Sequence, residues 1–261
     1  MNVNELYLSV GGVSISLSFD STEWDVKKTI FIQNIKLYLK GFIVNKNIPQ
    51  VFITVKESKG IPFRIYKKDF YSQYYKQKSI SRYETYYHIS IFELCQLLQL
   101  ILMKYLKNKV LFLHASGVII HKKSTLFIGK SGTGKSTCIK LLKNIYKPIA
   151  DDSIIVRKEG DSYYCYQTPT IDKEDWIVRK NKKYILHSLF IIDKNKLFKI
   201  NKLSAYTFLP YIYESIWVEN EIDRNQTKSC IALLKQIKNL YSIAYKKQDK
   251  KKLINALQNL K

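Results

Sequence analysis

Acidic residues are scarce in this 261-residue sequence: 21 Asp and Glu stand against 44 Lys and Arg, for a formal charge of +23 and a pI near 9.7. That imbalance works against basic partners and favours anionic ones such as nucleotides, nucleic acid, anionic lipid or an acidic peptide. Codon bias is an equally open source, because Lys, Ile, Asn and Tyr all have A/T-rich codons and are all abundant here. Cysteine is sparse as well. Cys95, Cys138, Cys165 and Cys230 lie far apart, with no second Cys or His at zinc-ligand spacing. This excludes a zinc knuckle and a redox pair and suits a reduced, cytoplasmic chain. Long apolar runs are missing: the greasiest stretch, 89–106, is broken by Glu93, Gln96 and Gln99, so it reads as a soluble helix and not a membrane span. The opening MNVNELYLSV lacks a basic segment leading into an apolar one, as a secretory signal would require. No internal repeat or low-complexity linker occurs.

What is present is enough for a core. With 46% hydrophobic and 13% aromatic residues, a chain of this length builds one or two globular domains. Leu6, Leu8 and Val10, then Val13, Ile15, Leu17 and Phe19, alternate with mostly polar residues around Gly11 and Gly12, the period of two that marks a hairpin. Residues 26–39 read as a short helix, and 51–55, 63–66 and 83–89 as strands. From Ser90, a plausible N-cap, apolar residues recur at helical spacing up to the basic stop 104–109. Lysines and tyrosines interleave over 64–88, including Tyr66, Tyr71, Tyr74, Tyr75, Tyr83, Tyr86 and Tyr87. Such a pattern can stack and neutralise single-stranded nucleic acid, or it can be strand tyrosines with edge-guarding lysines. The second reading is preferred, since no nucleic-acid motif accompanies it.

The texture changes at Val110. An apolar run at 111–113 and strands at 117–120 and 125–128 precede a glycine-rich turn, a helix and a strand around 149–156. Residues 184–198 read as strand and turn, and 231–240 and 253–260 as two terminal helices. The expected organisation is an N-terminal α+β region over 1–108, able to help hold an acceptor, followed by an α/β domain with a mixed sheet and flanking helices over 109–261.

Gly129, Lys130, Ser131, Gly132, Thr133, Gly134, Lys135 and Ser136 spell GKSGTGKS, a full match to the phosphate-binding pattern G-x-x-x-x-G-K-[ST], after a strand and before a helix. Glycines let backbone amides encircle phosphate oxygens, the helix N-terminus adds a favourable dipole, Lys135 neutralises the β and γ phosphates, and the Ser136 hydroxyl ligates Mg²⁺. The four constrained positions occur by chance on the order of once per hundred chains of this length. Fifteen residues beyond Ser136 stand Asp151 and Asp152, too close for the usual distant Walker B aspartate. A single helix fills the gap, so the strand after it must bring the carboxylates back beside the phosphates. Such a pair can divide labour, one holding Mg²⁺ and one accepting a proton from an attacking hydroxyl; the competing reading is an Asp-Asp turn capped into solvent. His114, fifteen residues before Gly129, fits either the phosphate site or a satisfied core position.

As a set, LHASGVIIHKKSTLFIGKSGTGKST followed by ADD resembles the catalytic domain of the HPr serine kinase/phosphorylase family. More narrowly it resembles the diverged relatives that phosphorylate a serine of ribosomally made precursor peptides, including lasso-peptide kinases. The specific match covers 114–153. The resemblance implies that Gly129 to Thr137 bind the phosphates of ATP or another nucleoside triphosphate, that Ser136 holds Mg²⁺, that Asp151 is the general base, that Asp152 assists with metal or orientation, and that His114 lies in the site. It offers Glu174 or Asp175 as a later acidic ligand and Arg179 or Arg224 as a late arginine, although IDKEDW does not reproduce the glycine-rich signature of the HPr kinases. The partners implied are nucleotide and a precursor peptide or small protein, with a homo-oligomer as a further expectation. The alternatives are a small-molecule kinase and a nucleotide-gated binding module or ATPase. An LSGGQ stretch, the mark of transporter ATPases, is absent.

Overall fold

The computed structural model describes residues 4–20, 26–57, 74–107, 109–170, 176–193, 197–218 and 222–259. They divide into two compact units, one of residues 1–105 with 169–171 and 179–181, the other of 106–168, 172–178 and 182–261.

In the first unit, β1 (Glu5–Val10) and β2 (Val13–Asp20) form the expected hairpin. Its turn residues Gly11 and Gly12 have φ of 60° and 78°, the paired positive dihedrals of a type I′ turn that only glycine adopts freely. α1 (Val26–Tyr38) carries the chain to β4 (Val51–Lys56), which runs parallel to β2, a pairing that demands a crossover connection. With β3 (Ile43–Val44), β5 (Tyr75–Gln77) and β6 (Arg82–Tyr86), the sheet has six strands in the order β3-β1-β2-β4-β6-β5. α2 (Ile91–Tyr105) begins at a capping box. The Ser90 hydroxyl accepts from the Glu93 amide at 3.2 Å while Glu93 Oε2 accepts from the Ser90 amide at 2.7 Å, satisfying two donors that the helix start would otherwise orphan. Leu8, Ile15, Leu17, Ile35, Ile53, Leu94 and Leu98 are fully buried in this unit. Tyr74, Tyr83 and Tyr87 are buried too, which withholds them from any base-stacking role. Tyr66, Tyr71 and the expected strand at 63–66 lie outside the described residues.

The second unit is an α/β architecture with a mixed sheet and flanking helices. Its strands are β7 (Val110–Leu113), β8 (Ala115–Ile120), β9 (Lys123–Ile128), β10 (Lys147–Ala150), β11 (Ile154–Glu159), β12 (Ser162–Gln167), β13 (Lys183–Asp193), β14 (Lys199–Lys202) and β15 (Asn239–Ala244). The main path is β10-β8-β9-β13-β12-β11-β7, with β15 beside β13 and β14 beside β15. β9 and β13 run parallel and are apolar on both faces, and the period of two sorts their side chains. Leu126, Ile128, Leu189 and Ile191 pack with Phe208 and Ile212 of α4 (Ala205–Ser215) and Leu233 of α5 (Arg224–Gln236). Phe127, Phe190 and Ile192 pack on the other face with Ile139 and Leu142 of α3 (Lys135–Leu142) and Leu253 and Leu257 of α6 (Lys250–Gln258).

Two expectations are corrected, and one helix is new. The strand expected around 149–156 is two strands, β10 and β11, broken at Asp151 to Ser153, because its two halves pair with different partners, β8 and then β7 and β12. The helix expected over 231–240 ends at Gln236, and Leu240 lies in β15, where six residues zip onto β13 in parallel register. α4 was not expected at all. Pro210 stands inside it, where proline argues against a helix, and it starts where the Ser204 hydroxyl accepts from the Thr207 amide at 3.1 Å.

Three neighbouring strands are pinned by one carboxylate. Glu159 on β11 accepts from Tyr166 on β12 and from Lys183 on β13, the latter at 2.5 Å. Burial alone would raise its pKa, but Lys183, Tyr166 and Arg157 outweigh that and bring it below its ordinary value of 4.5. A lowered carboxyl pKa stabilises the fold above the ordinary value and loses that contribution as pH falls through the folded-state value. Glu159→Gln is therefore expected to cost roughly 0.5–1 kcal/mol at pH 7, the range of a partly exposed ion pair, and progressively less as pH falls below 4.5; a cost in thermal unfolding that does not shrink on acidification would contradict this. All four cysteines are buried, and burial pushes the thiols of Cys95, Cys165 and Cys230 up to about 12. None should react with iodoacetamide at neutral pH until the protein unfolds.

Candidate active site

β9 ends at Ile128 and the glycine-rich loop runs from Gly129 to the start of α3 at Lys135. Gly129, Gly132 and Gly134 have φ of 145°, 75° and 109°, so the backbone reverses hand repeatedly, an alternation of the kind from which anion-binding nests are built. At Gly134 two constraints coincide: the positive φ, and the Tyr245 hydroxyl, which would stand 3.2 Å from an added Cβ. That hydroxyl donates to the Gly134 carbonyl at 2.7 Å and also meets the Cys138 thiol one turn into α3. Tyr245 follows β15 directly, so the sheet grips the first turn of the helix. Lys135 is buried, its ammonium donating to the Gly129 and Lys130 carbonyls at 2.8 and 3.1 Å, which keeps its charge at the mouth of the loop. Thr133 Oγ1 donates to the Lys130 carbonyl at 2.9 Å. Ser131 is exposed, while Ser136 and Thr137 are half-buried on the first turn of α3.

The Asp pair sits where one β-ladder opens. β11 pairs with β7 as far as Ile154 opposite Leu113, and β10 pairs with β8 from Ala150 opposite Gly117. The two flanking pairs, Leu113 with Ile154 and Gly117 with Ala150, stay in one antiparallel alignment across residues 114–116 and 151–153, and β10 then shifts register against β8 between Pro148 and Ala150. Gly117 permits the close approach of β10, since a Cβ there would meet Leu126 at 2.7 Å and Ile149 at 3.2 Å. Within the gap side chains replace the missing rungs. The Ser116 hydroxyl donates to the Asp151 carbonyl at 2.7 Å and lies 3.3 Å from Asp151 Oδ1. His114 Nδ1 stands 3.3 Å from Asp152 Oδ1. Asp151 is buried and Asp152 half-exposed.

This gap lies at the same sheet edge as the glycine-rich loop. Ala115 and Ser116 pair with Ile128 and Phe127 on their other side, and β9 and β10, both antiparallel to β8, end in the same direction. At ~4.8 Å per strand, the backbone of the Asp pair is about 10 Å from the end of β9, within reach of a bound triphosphate's far end. Two further groups close on the same edge. The chain after α4 bridges Leu113 through Ile216, which sets the Trp217 ring 6.0 Å from that of His114. Glu214, near the end of α4, pairs with Lys130 of the loop at 3.2 Å.

His114, Asp151, Asp152 and Gly129 to Thr137 are thus neighbours through β8 and β9. Glu174 and Asp175 lie outside the described residues. Arg179 instead donates to the Pro169 and Thr170 carbonyls at 3.3 and 2.6 Å, in the first unit. Among the described residues no group of three or more His, Cys, Asp or Glu forms a metal cage. Sequence reasoning missed Ser116, Glu214, Trp217 and Tyr245. None of these carried a local signal, because each depends on pairings distant in sequence.

A family model described as "SynChlorMet cassette protein ScmC" matches residues 82–207, just under half of the chain. No curated protein matches. Among solved structures, the Hpr(Ser) kinase/phosphatase from Coxiella burnetii is similar at 14% identity over 56% of this chain and 92% of that one, with a TM-score of 0.30.

Tyr245→Phe removes the hydroxyl that holds the Gly134 carbonyl, and a lost neutral hydrogen bond of this kind costs about 1 kcal/mol. Thermal unfolding should show that loss, and a larger one in Gly134→Ala, which adds backbone strain; wild-type stability in both variants would contradict the described loop.

Proposed function

We propose that the protein is an ATP- and Mg²⁺-dependent kinase that transfers the γ-phosphate to a hydroxyl, a serine of a peptide or small protein, in the modification of a ribosomally made peptide. The observation that carries this reading is the shared sheet edge: a full phosphate-loop motif and an aspartate pair end neighbouring β-strands pointing the same way. The likeness of residues 114–153 to the precursor-peptide kinases supports it, and a family description that speaks of a cassette protein suits an enzyme dedicated to one substrate.

In this reading the loop amides and the α3 N-terminus bind the phosphate tail, and Lys135 leaves its own loop carbonyls to neutralise the β and γ oxygens. Mg²⁺ needs only one or two carboxylates besides phosphate and water, and the donors here fit it: Ser136 with its half-buried hydroxyl and Asp152 with its half-exposed carboxylate. Bound there, the ion would neutralise charge developing on the transferred group. Asp151 accepts the proton of the acceptor hydroxyl. One of its oxygens faces Ser116, and the other has no hydrogen-bond partner among the described residues. His114 orients Asp152 through Nδ1, and Trp217 walls the acceptor side. The excess of positive charge attracts the nucleotide and an acidic peptide.

Incubation with MgATP and host lysate should add a phosphate to a peptide or small protein, read by mass spectrometry. Lys135→Ala should abolish the transfer. Asp151→Asn should keep nucleotide affinity within about threefold while losing roughly 10²-fold or more in transfer, the scale of general-base catalysis. Label on a free metabolite would replace the peptide acceptor with a small molecule, and ATP hydrolysis with no labelled acceptor would replace kinase with ATPase.

A further inference from the structure

Ser116 is fully buried on β8, between its pairing partner Phe127 of β9 and the open ladder that holds the aspartates. A hydroxyl so deeply buried must find partners, and here both of its near acceptors belong to one residue: the Asp151 carbonyl at 2.7 Å and Asp151 Oδ1 at 3.3 Å. No ladder hydrogen bond ties Asp151 to β8, because regular pairing stops at Ala150. The Ser116 side chain thus takes the place of a missing rung and grips main chain and carboxylate together. A carboxylate on a three-residue corner has free χ1 and χ2 rotations, and proton transfer tolerates little misplacement.

We propose that Ser116 is a positioning residue for phosphoryl transfer: its buried hydroxyl fixes the corner at Asp151 and aims the carboxylate at the acceptor hydroxyl. This rests on the kinase reading above, in which Asp151 takes the acceptor's proton. Two features of the hydroxyl suit the task. It has one proton to donate, which it shares between the Asp151 carbonyl at 2.7 Å and Oδ1 at 3.3 Å, so it holds main chain and carboxylate together and leaves the other carboxylate oxygen to take the acceptor's proton. It is also sealed from water, so no solvent molecule competes for Oδ1 on that side.

The test compares wild type, Ser116→Ala, Ser116→Thr, Asp151→Asn and the Ser116→Ala/Asp151→Asn double variant. Full-length protein and Mg[γ-³²P]ATP are used, with release of labelled phosphate to water and transfer to host-lysate acceptors as readouts, alongside binding of a fluorescent ATP analogue and thermal unfolding. Ser116→Ala should lower kcat by about tenfold or more with KM for ATP and nucleotide affinity within about twofold. Ser116→Thr, which keeps the hydroxyl, should recover most of the rate. The double variant should be no slower than Asp151→Asn alone, because a positioner has nothing left to position. Wild-type kcat in Ser116→Ala, a loss shared between kcat and nucleotide affinity, or a Thr variant that refolds to wild-type stability without recovering rate would overturn the role of Ser116. A wild type that turns over no MgATP in either readout would overturn the kinase reading, and this proposal with it.

Discussion

The second unit depends on a register kept while its hydrogen bonds are given up. The pairs that flank the gap, Leu113–Ile154 and Gly117–Ala150, keep one antiparallel alignment, yet between them the rungs are absent. A closed ladder would have no room for side-chain chemistry in its plane. Opening it frees backbone groups that cannot stay buried without partners, and the molecule answers with side chains and a distant segment. Ser116 takes the Asp151 carbonyl, and the His114 amide donates to the Ser215 carbonyl at 2.6 Å. The same substitution of partners that keeps the gap from collapsing sets His114, Asp151 and Asp152 beside one another.

The gap has a use only because of what stands next to it. β8 is the single strand between β10 and β9, so the opened corner and the glycine-rich loop share an edge, and α3 leaves that edge with its N-terminus exposed to the site. β9 and β13 are buried on both faces by helices, which holds the loop's root rigid while the loop itself reverses hand at glycines. Tyr245 and Glu214 reach the loop from β15 and α4, elements more than eighty residues further along the chain. A glycine-rich loop of this kind is positioned by the whole sheet, although the motif that announces it is local.

That division explains what could be read in the sequence. Features governed by period or by near neighbours were legible: the Gly11–Gly12 hairpin, α2 with its Ser90 cap, and the strand-loop-helix around Gly129 to Lys135. The break at Asp151 was legible only in part: Asp151, Asp152 and Ser153 interrupt the apolar run and suit the competing Asp-Asp turn, but the change of partner strand that fixes the break has no local sign. Leu240 was assigned to a helix because Leu233, Ile237 and Leu240 follow one another at four- and three-residue steps, whereas the open side of β13 draws it into β15. Ser116 illustrates the limit most clearly. Nothing in its local sequence separates it from a strand serine facing a core; its meaning comes from residue 151, thirty-five positions away.

The central claim is spatial, that the opened ladder brings carboxylates to the end of a bound triphosphate. A crystal structure of the protein with Mg²⁺ and a non-hydrolysable ATP analogue measures this directly. The account predicts a carboxylate oxygen of Asp151 or Asp152 within about 5 Å of the terminal phosphorus, near enough to touch an in-line acceptor oxygen or a phosphate-bound ion. Both carboxylates more than about 10 Å from that phosphorus and turned to water, with the nucleotide fully bound in the loop, would contradict it.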